Sequence, residues 1–237
     1  MSHFVLIHGA SQGEWCWYKV RKLLEDRGHT VNAPDLPGHE PQSSLDFSEI
    51  TPGRYVDSVT DLIATVSDPV ILVGHSLGGA VITGVIDRME PGRIRKACFV
   101  SAFIPRNGES AGELLKADKG SELQSCFSFG PGNMSVELIP DRLADIVYNG
   151  CSEEDTAYAR SRVVPQSILP IDAPLRRLPG RSVRCIGVVC QRDRALTPAF
   201  QENMYRRAGC EEIRYLDSGH APFFSRPREL ADILGED

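Results

Sequence analysis

The hydrophobic pattern changes period several times along the chain, and each change marks an element. Phe4-Val5-Leu6-Ile7 is an unbroken apolar run that ends at His8-Gly9. Runs of this kind suit strands buried on both faces of a parallel sheet. From about Glu14 the period lengthens: Trp17, Val20 and Leu24 share one helical face, and Gly28 stands where a glycine would stop a helix. Thr30 to Ala33 reads as a short strand running into the turn-rich Asp35-Leu36-Pro37-Gly38. Thr51-Pro52 has the form of an N-cap followed by a first-turn proline, and the helix it opens carries Val56, Val59, Ile63 and Val66 on one face. Val70 to Val73 is the next strand, the segment after Ser76 the next helix, and Lys96 to Val100 a further strand.

This alternation predicts an α/β fold with a mostly parallel six-stranded sheet flanked by helices, because each parallel pair needs a crossover and a helix is the usual one. The rhythm breaks between about Pro105 and Gly180, where short helical patterns appear around Leu114-Leu115, from Leu138 to Val147 and from Glu153 to Arg160, without a convincing buried strand. It resumes with a strand from Val183 to Val189, a helix from Phe200 to Arg207, a strand from Glu212 to Leu216 and a last helix from Pro227 to Leu234. The expected organisation is therefore a core of residues 1–104 and 181–237 with a helical cap, or lid, inserted over 105–180 after the fourth strand. At roughly 75 residues that insertion is too long for an ordinary loop.

Composition narrows the function. Of 237 residues, 41% are hydrophobic and 24% charged, which excludes a disordered or fibrous chain. A net charge of −6 argues against a nucleic-acid or anionic-membrane partner, since either needs a basic face. No apolar run reaches the roughly 20 residues that span a bilayer, and no basic segment precedes the first strand, so a cytoplasmic protein is expected. Seven cysteines without a C-x-x-C pair predict buried thiols (Cys16, Cys98, Cys185 and Cys190 among them) rather than a disulfide framework or a zinc site. No metal and no cofactor is expected.

The chemistry centres on Gly74-His75-Ser76-Leu77-Gly78, a G-x-S-x-G sequence between an apolar strand and a buried helix. In a nucleophile elbow the serine occupies a strained turn, and the flanking glycines let strand and helix backbones approach. A serine hydroxyl needs a neighbouring base. Of six histidines, His220 in Asp217-Ser218-Gly219-His220 follows the last strand, at the sheet edge where open α/β folds place their sites. His3, His29 and His39 read as strand-end or loop residues, and His75 lies along the elbow beside the serine. Asp193, just past the strand ending at Cys190, is the expected orienting acid, with Asp172 and Asp217 as rivals. Arg192 and Arg194 would hold it ionised if they pointed inward, but exposed arginines are the commoner case. The oxyanion donors are expected to be the backbone N–H groups of Leu77 and of Ala10 in the His8-Gly9-Ala10 loop. Trp15-Cys16-Trp17 reads as core packing. Gly9, Ser11, Trp15, Phe103, Phe127, Phe129 and Ala221 are candidates for the substrate pocket, with Phe223-Phe224 close by.

At these residues the chain resembles the α/β-hydrolase superfamily, and within it the plant-type methylesterase and hydroxynitrile lyase family with its bacterial carboxylesterase relatives such as pyrethroid hydrolases. The likeness is strongest in His3 to Lys19, Gly74 to Gly79, Ser101 to Pro105, Asp193 to Met204 and Asp217 to His220, and weak across the insertion. It implies a Ser76–His220–Asp193 triad, oxyanion donors at Ala10 and Leu77, a small-molecule ester substrate and a homodimer. The lyase branch has a threonine after the first-loop histidine and a lysine after the catalytic one; here those positions are Gly9 and Ala221. The expected function is a serine carboxylic-ester hydrolase working through an acyl-enzyme. The alternatives are a lyase, cyclase or thioesterase using the same triad, and a non-catalytic ligand receptor.

Overall fold

Residues 1–40, 43–44, 46–176 and 183–236 are described by a computed structural model. In chain order the first half holds β1 (His3–Ile7), a 3-10 turn leading into α1 (Tyr18–Asp26), β2 (Thr30–Asn32), α2 (Pro52–Ala64), β3 (Val70–His75), α3 (Leu77–Arg88) and β4 (Ile94–Val100). The intervening stretch contains α4 (Ala111–Ala117), β5 (Phe127–Phe129), β6 (Ser135–Leu138), α5 (Pro140–Ile146), α6 (Glu153–Arg160), β7 (Gln166–Ser167) and α7 (Leu169–Asp172). The chain then returns with β8 (Cys185–Cys190), α8 (Pro198–Ala208), β9 (Glu212–Leu216), α9 (Pro222–Ser225) and α10 (Pro227–Gly235).

Strands β2-β1-β3-β4-β8-β9 form one six-stranded sheet in which every neighbouring pair is parallel. All six residues of β3 are buried, as their apolar run requires of a central strand. Helix α2 starts where the local chemistry starts it, with the Thr51 hydroxyl accepting from Arg54 N–H and Pro52 in the first turn. From β1 the chain moves outward to β2 and then crosses back to β3 on the other side. The order therefore reverses between β1 and β3, and ligands of open α/β sheets bind beyond the C-terminal strand ends at such a switch point. The loop after β1 and the turn after β3 meet there.

The insertion differs from expectation in one respect. It is not only helical: β5, β6 and β7 make a small antiparallel sheet. These strands have three, four and two residues, and β5 is mostly exposed, so they carry no buried apolar run to announce them. The expected return to the core at residues 180–181 lies outside the described residues. No helix among the described residues is long and apolar enough to cross a membrane.

Candidate active site

Ser76 occupies the corner between β3 and α3 with φ 52° and ψ −120°, a strained backbone for a residue with a side chain. Close packing imposes it. A Cβ at position 74 would lie 2.6 Å from the Gly78 carbonyl oxygen, and one at 78 would lie 2.6 Å from that of Ile7, so the two motif glycines are what let strand and helix touch. The corner is pinned by Ser76 N–H to the Val100 carbonyl (3.3 Å) and by the Ser76 carbonyl, which accepts from Gly79 (3.0 Å) and Phe103 (3.1 Å). Ser76 itself is 6% exposed.

His220 and Asp193 come from the loops after β9 and β8, and both are buried. The imidazole Nδ1 lies 2.7 Å from Asp193 Oδ2, and an acceptor there places the proton on Nδ1 and leaves Nε2 as the basic edge. Asp193 is a hub. Its Oδ1 accepts from the amides of Ala195 (2.7 Å) and Leu196 (2.9 Å), and its Oδ2 accepts from Gln201 Nε2 (2.9 Å) and from the Ser101 hydroxyl as well as His220. Arg192 and Arg194 take no part and lie on the surface, the commoner case for arginine: Arg192 pairs with Asp217 (2.8 Å) and Arg194 with Glu122 (2.6 Å). That also disposes of Asp217 as the acid, since it serves exposed arginines. Asp172 ends α7, packed beside Gly112. A buried carboxylate needs donors, and the two backbone amides supply charge-assisted hydrogen bonds to it.

His75 braces the base from behind. Its Nε2 donates to the His220 carbonyl (2.8 Å), and the two rings lie 4.7 Å apart. Burial, and after it the neighbouring His220, hold the His75 imidazole well below its ordinary range, so it stays neutral.

The loop after β1 is fixed amide by amide. Gln12 Oε1 accepts from Gly9 N–H (3.2 Å) and its Nε2 donates to the Tyr148 hydroxyl (3.2 Å), with Oε1 set 3.1 Å from His75 Nδ1. Ser11 N–H donates to Gln166 Oε1 (3.3 Å), the Ser11 carbonyl accepts from Val164 N–H (3.1 Å), and His8 Nδ1–H donates to the Gly9 carbonyl (2.8 Å). Gln166 is in turn bonded to His39 (3.0 Å) and Tyr55 (3.0 Å), making one buried polar cluster. Tyr148, Val164 and Gln166 all belong to the insertion, which therefore supports this loop directly. The insertion also holds the acid loop: Ser121 Oγ donates to the Ala195 carbonyl (2.6 Å), Asp118 accepts from Thr197 N–H and Oγ1 (both 2.7 Å), and Asn149 donates to the Arg192 carbonyl (2.8 Å).

Of the expected pocket residues, Gly9 lies against the site: a Cβ there would be 3.0 Å from Gln12 Oε1, His75 Nδ1 and Ser76 Cβ. Ser11 is buried at φ 61°, and its hydroxyl has no hydrogen-bond partner among the described residues. Phe103 is buried beside the elbow through its amide, and Ala221 is buried directly after His220. Trp15 stacks on Phe224, while Cys16 and Trp17 are core. Phe127 is partly buried against the core. Phe129 is a correction: it is 65% exposed on the edge strand β5 and meets solvent rather than a pocket. Sequence reasoning did not assign Ser101, Gln201, Gln12 or Gln166 to the site. Ser101 was open to discovery, because it ends a strand at the same sheet edge; the three glutamines carry no local signal.

Residues 4–233 match the profile of the alpha/beta hydrolase family. The chain belongs to that family. Among its curated relatives, a chloroplastic protein of the methylesterase series from Arabidopsis thaliana is 34% identical over 249 residues, covering 99% of this chain but 63% of that protein, so the chain spans under two thirds of its length. Methyl jasmonate esterase 1 from Vitis vinifera is 32% identical over 256 residues, covering 99% of this chain and 95% of the relative. Among solved hydrolase-family structures, polyneuridine aldehyde esterase superposes with TM-score 0.87 at 27% identity over 99% of this chain and 98% of its own. A pyrethroid hydrolase from Sphingobium faniae JZ-2 gives TM-score 0.85 at 25% identity, covering 98% and 95%. Tomato methylketone synthase I, in complex with 2-tridecanone, gives 0.83 at 28% identity, covering 98% and 96%.

Proposed function

We propose that this alpha/beta hydrolase is a serine carboxylic-ester hydrolase of the methylesterase type, with Ser76 as nucleophile, His220 as base and Asp193 as its orienting acid. The observation that carries the reading is the buried 2.7 Å pairing of His220 Nδ1 with Asp193 Oδ2 at the sheet edge where Ser76 is strained into its turn. Ser76 Oγ attacks the ester carbonyl as His220 Nε2 takes its proton, and the negative charge that develops on the carbonyl oxygen is met by the N–H groups of Ala10 and Leu77. The Ala10 amide has no hydrogen-bond partner among the described residues, whereas the amides of Gly9 and Ser11 are engaged by Gln12 and Gln166. The tetrahedral adduct expels the alcohol, which takes the proton from His220. Water then attacks the acyl-enzyme with His220 as base, and the carboxylic acid leaves. Hydrolysis is favoured over a lyase reaction by Ala221, which puts a methyl where the lyase branch has an ammonium group, and by Gly9, whose surroundings leave no room for a threonine. The same reading extends to a homodimer in the cytoplasm, a setting compatible with seven cysteines joined in no disulfide.

A fluorophosphonate probe, mapped by peptide mass spectrometry, should label Ser76 once per chain. Ser76→Ala should lower kcat on p-nitrophenyl acetate by about 10⁴-fold or more with the thermal midpoint retained, because triad members act as a unit. Turnover near the wild-type rate in that variant would remove the mechanism. A panel of methyl, aryl and thio esters and lactones, with products identified, separates ester hydrolysis from the thioesterase and lyase alternatives.

A further inference from the structure

We propose that Ser101 is a positioning residue for the base, a role that rests on the triad reading above. Ser101 follows β4, is fully buried, and is held at φ 42° with its N–H donating to the Val188 carbonyl (2.9 Å). Its hydroxyl touches both members of the charge pair: Oγ–H donates to Asp193 Oδ2, and the oxygen lies 3.0 Å from His220 Nδ1. Since Nδ1 is 2.7 Å from the same Oδ2, the three atoms close a triangle.

Only one arrangement of two hydrogens satisfies it. The hydroxyl hydrogen points at the carboxylate, and the Nδ1 hydrogen is shared between Oδ2 and a lone pair of Ser101 Oγ. The hydroxyl dipole then presents its positive end to the anion and its negative end to the imidazole. When His220 Nε2 accepts the proton of Ser76, the ring becomes cationic, and that dipole stabilises the pair more than it did before transfer. An interaction that strengthens only as charge develops acts on kcat and leaves KM alone. Ser101 is not a second nucleophile, because it sits on the Nδ1 edge, away from the basic Nε2, and has no exposure through which to meet a carbonyl.

The test uses the full-length chain carrying Ser101→Ala, with Ser101→Gly alongside because glycine tolerates the positive φ and keeps the experiment decisive if alanine misfolds. Both should lower kcat on p-nitrophenyl acetate by about tenfold, as expected for a hydrogen bond to a charged partner, with KM changed by less than about twofold. The low-field proton resonance of His220 Nδ1–H should move, and fluorophosphonate should still label Ser76. A kcat within about twofold of wild type in both variants, or an unmoved resonance, rejects the role. So does wild-type labelling at Ser101. Loss of Ser76 labelling in the wild-type chain would instead fell the triad reading, and this inference with it.

Discussion

The site is decided by a few atoms that permit no substitute. Gly78 has the Ile7 carbonyl where its Cβ would be, at 2.6 Å, and the obstacle is backbone, which cannot swing aside. Gly78→Ala should therefore destabilise the fold by about 1–3 kcal/mol, visible as a lower urea midpoint with unchanged slope. Gly9 is different, because its neighbours are the working atoms themselves. Gly9→Thr would press on Gln12, His75 and Ser76, and kcat/KM should fall by about 100-fold or more, with a lowered thermal midpoint from the overpacking. A variant at position 9 with wild-type turnover would show that the loop relaxes elsewhere. At this scale the sequence was readable where function imposes a fixed spacing, as in Gly74-His75-Ser76-Leu77-Gly78. It was unreadable where a long side chain arrives from afar: nothing near Gln201 says that its amide will donate to Asp193 at 2.9 Å.

Elements explain why the insertion matters. Its contacts run to the loops after β1 and β8: β7 through Gln166 to Ser11, the turn after α5 through Tyr148 to Gln12, and the segment after α4 to Ala195 and Thr197. An element bonded in this way acts as a support for the loop after β1 and not merely as a cover. Gln166→Leu would leave Ser11 N–H and the polar groups of His39 and Tyr55 with lost partners in a buried place. The expected cost is about 2–4 kcal/mol of stability, together with a kcat loss exceeding that of a surface substitution of equal destabilisation; urea melts paired with steady-state kinetics check both. The main-sheet elements were legible because parallel strands buried on both faces must be continuously apolar. The three short strands of the insertion were not, because two-to-four-residue segments with exposed positions leave no period to detect.

Taken as a whole, the protein buries three imidazoles besides that of His220, and these three set how it meets acid. His8 is pushed down to about 3, first by burial and then by His39; His39 is lowered chiefly by burial, and His75 more strongly for the same reason. Folded, His8 and His75 stay neutral and His39 takes up a proton less readily than a free imidazole, whereas the unfolded chain takes up protons below about pH 6.5. The unfolded state therefore binds more protons, and stability must fall as pH drops through that range. His8 alone contributes a loss of about 2 kcal/mol between pH 7 and pH 5. Urea titrations at pH 7.5, 6 and 5 should show a steadily falling midpoint, and a flat series would contradict the buried-neutral assignment. None of the three was distinguishable from a loop histidine by sequence, since burial comes from partners far along the chain. That remoteness has a consequence for biosynthesis. His75 and His220, which meet at 2.8 Å, are separated by 145 residues, and Ser11 waits 155 residues for Gln166. On the triad reading, a ribosome thus releases the Ser76 hydroxyl well before its proton acceptor, so a nascent polypeptide carries an inert serine until the loop after β9 has emerged and folded.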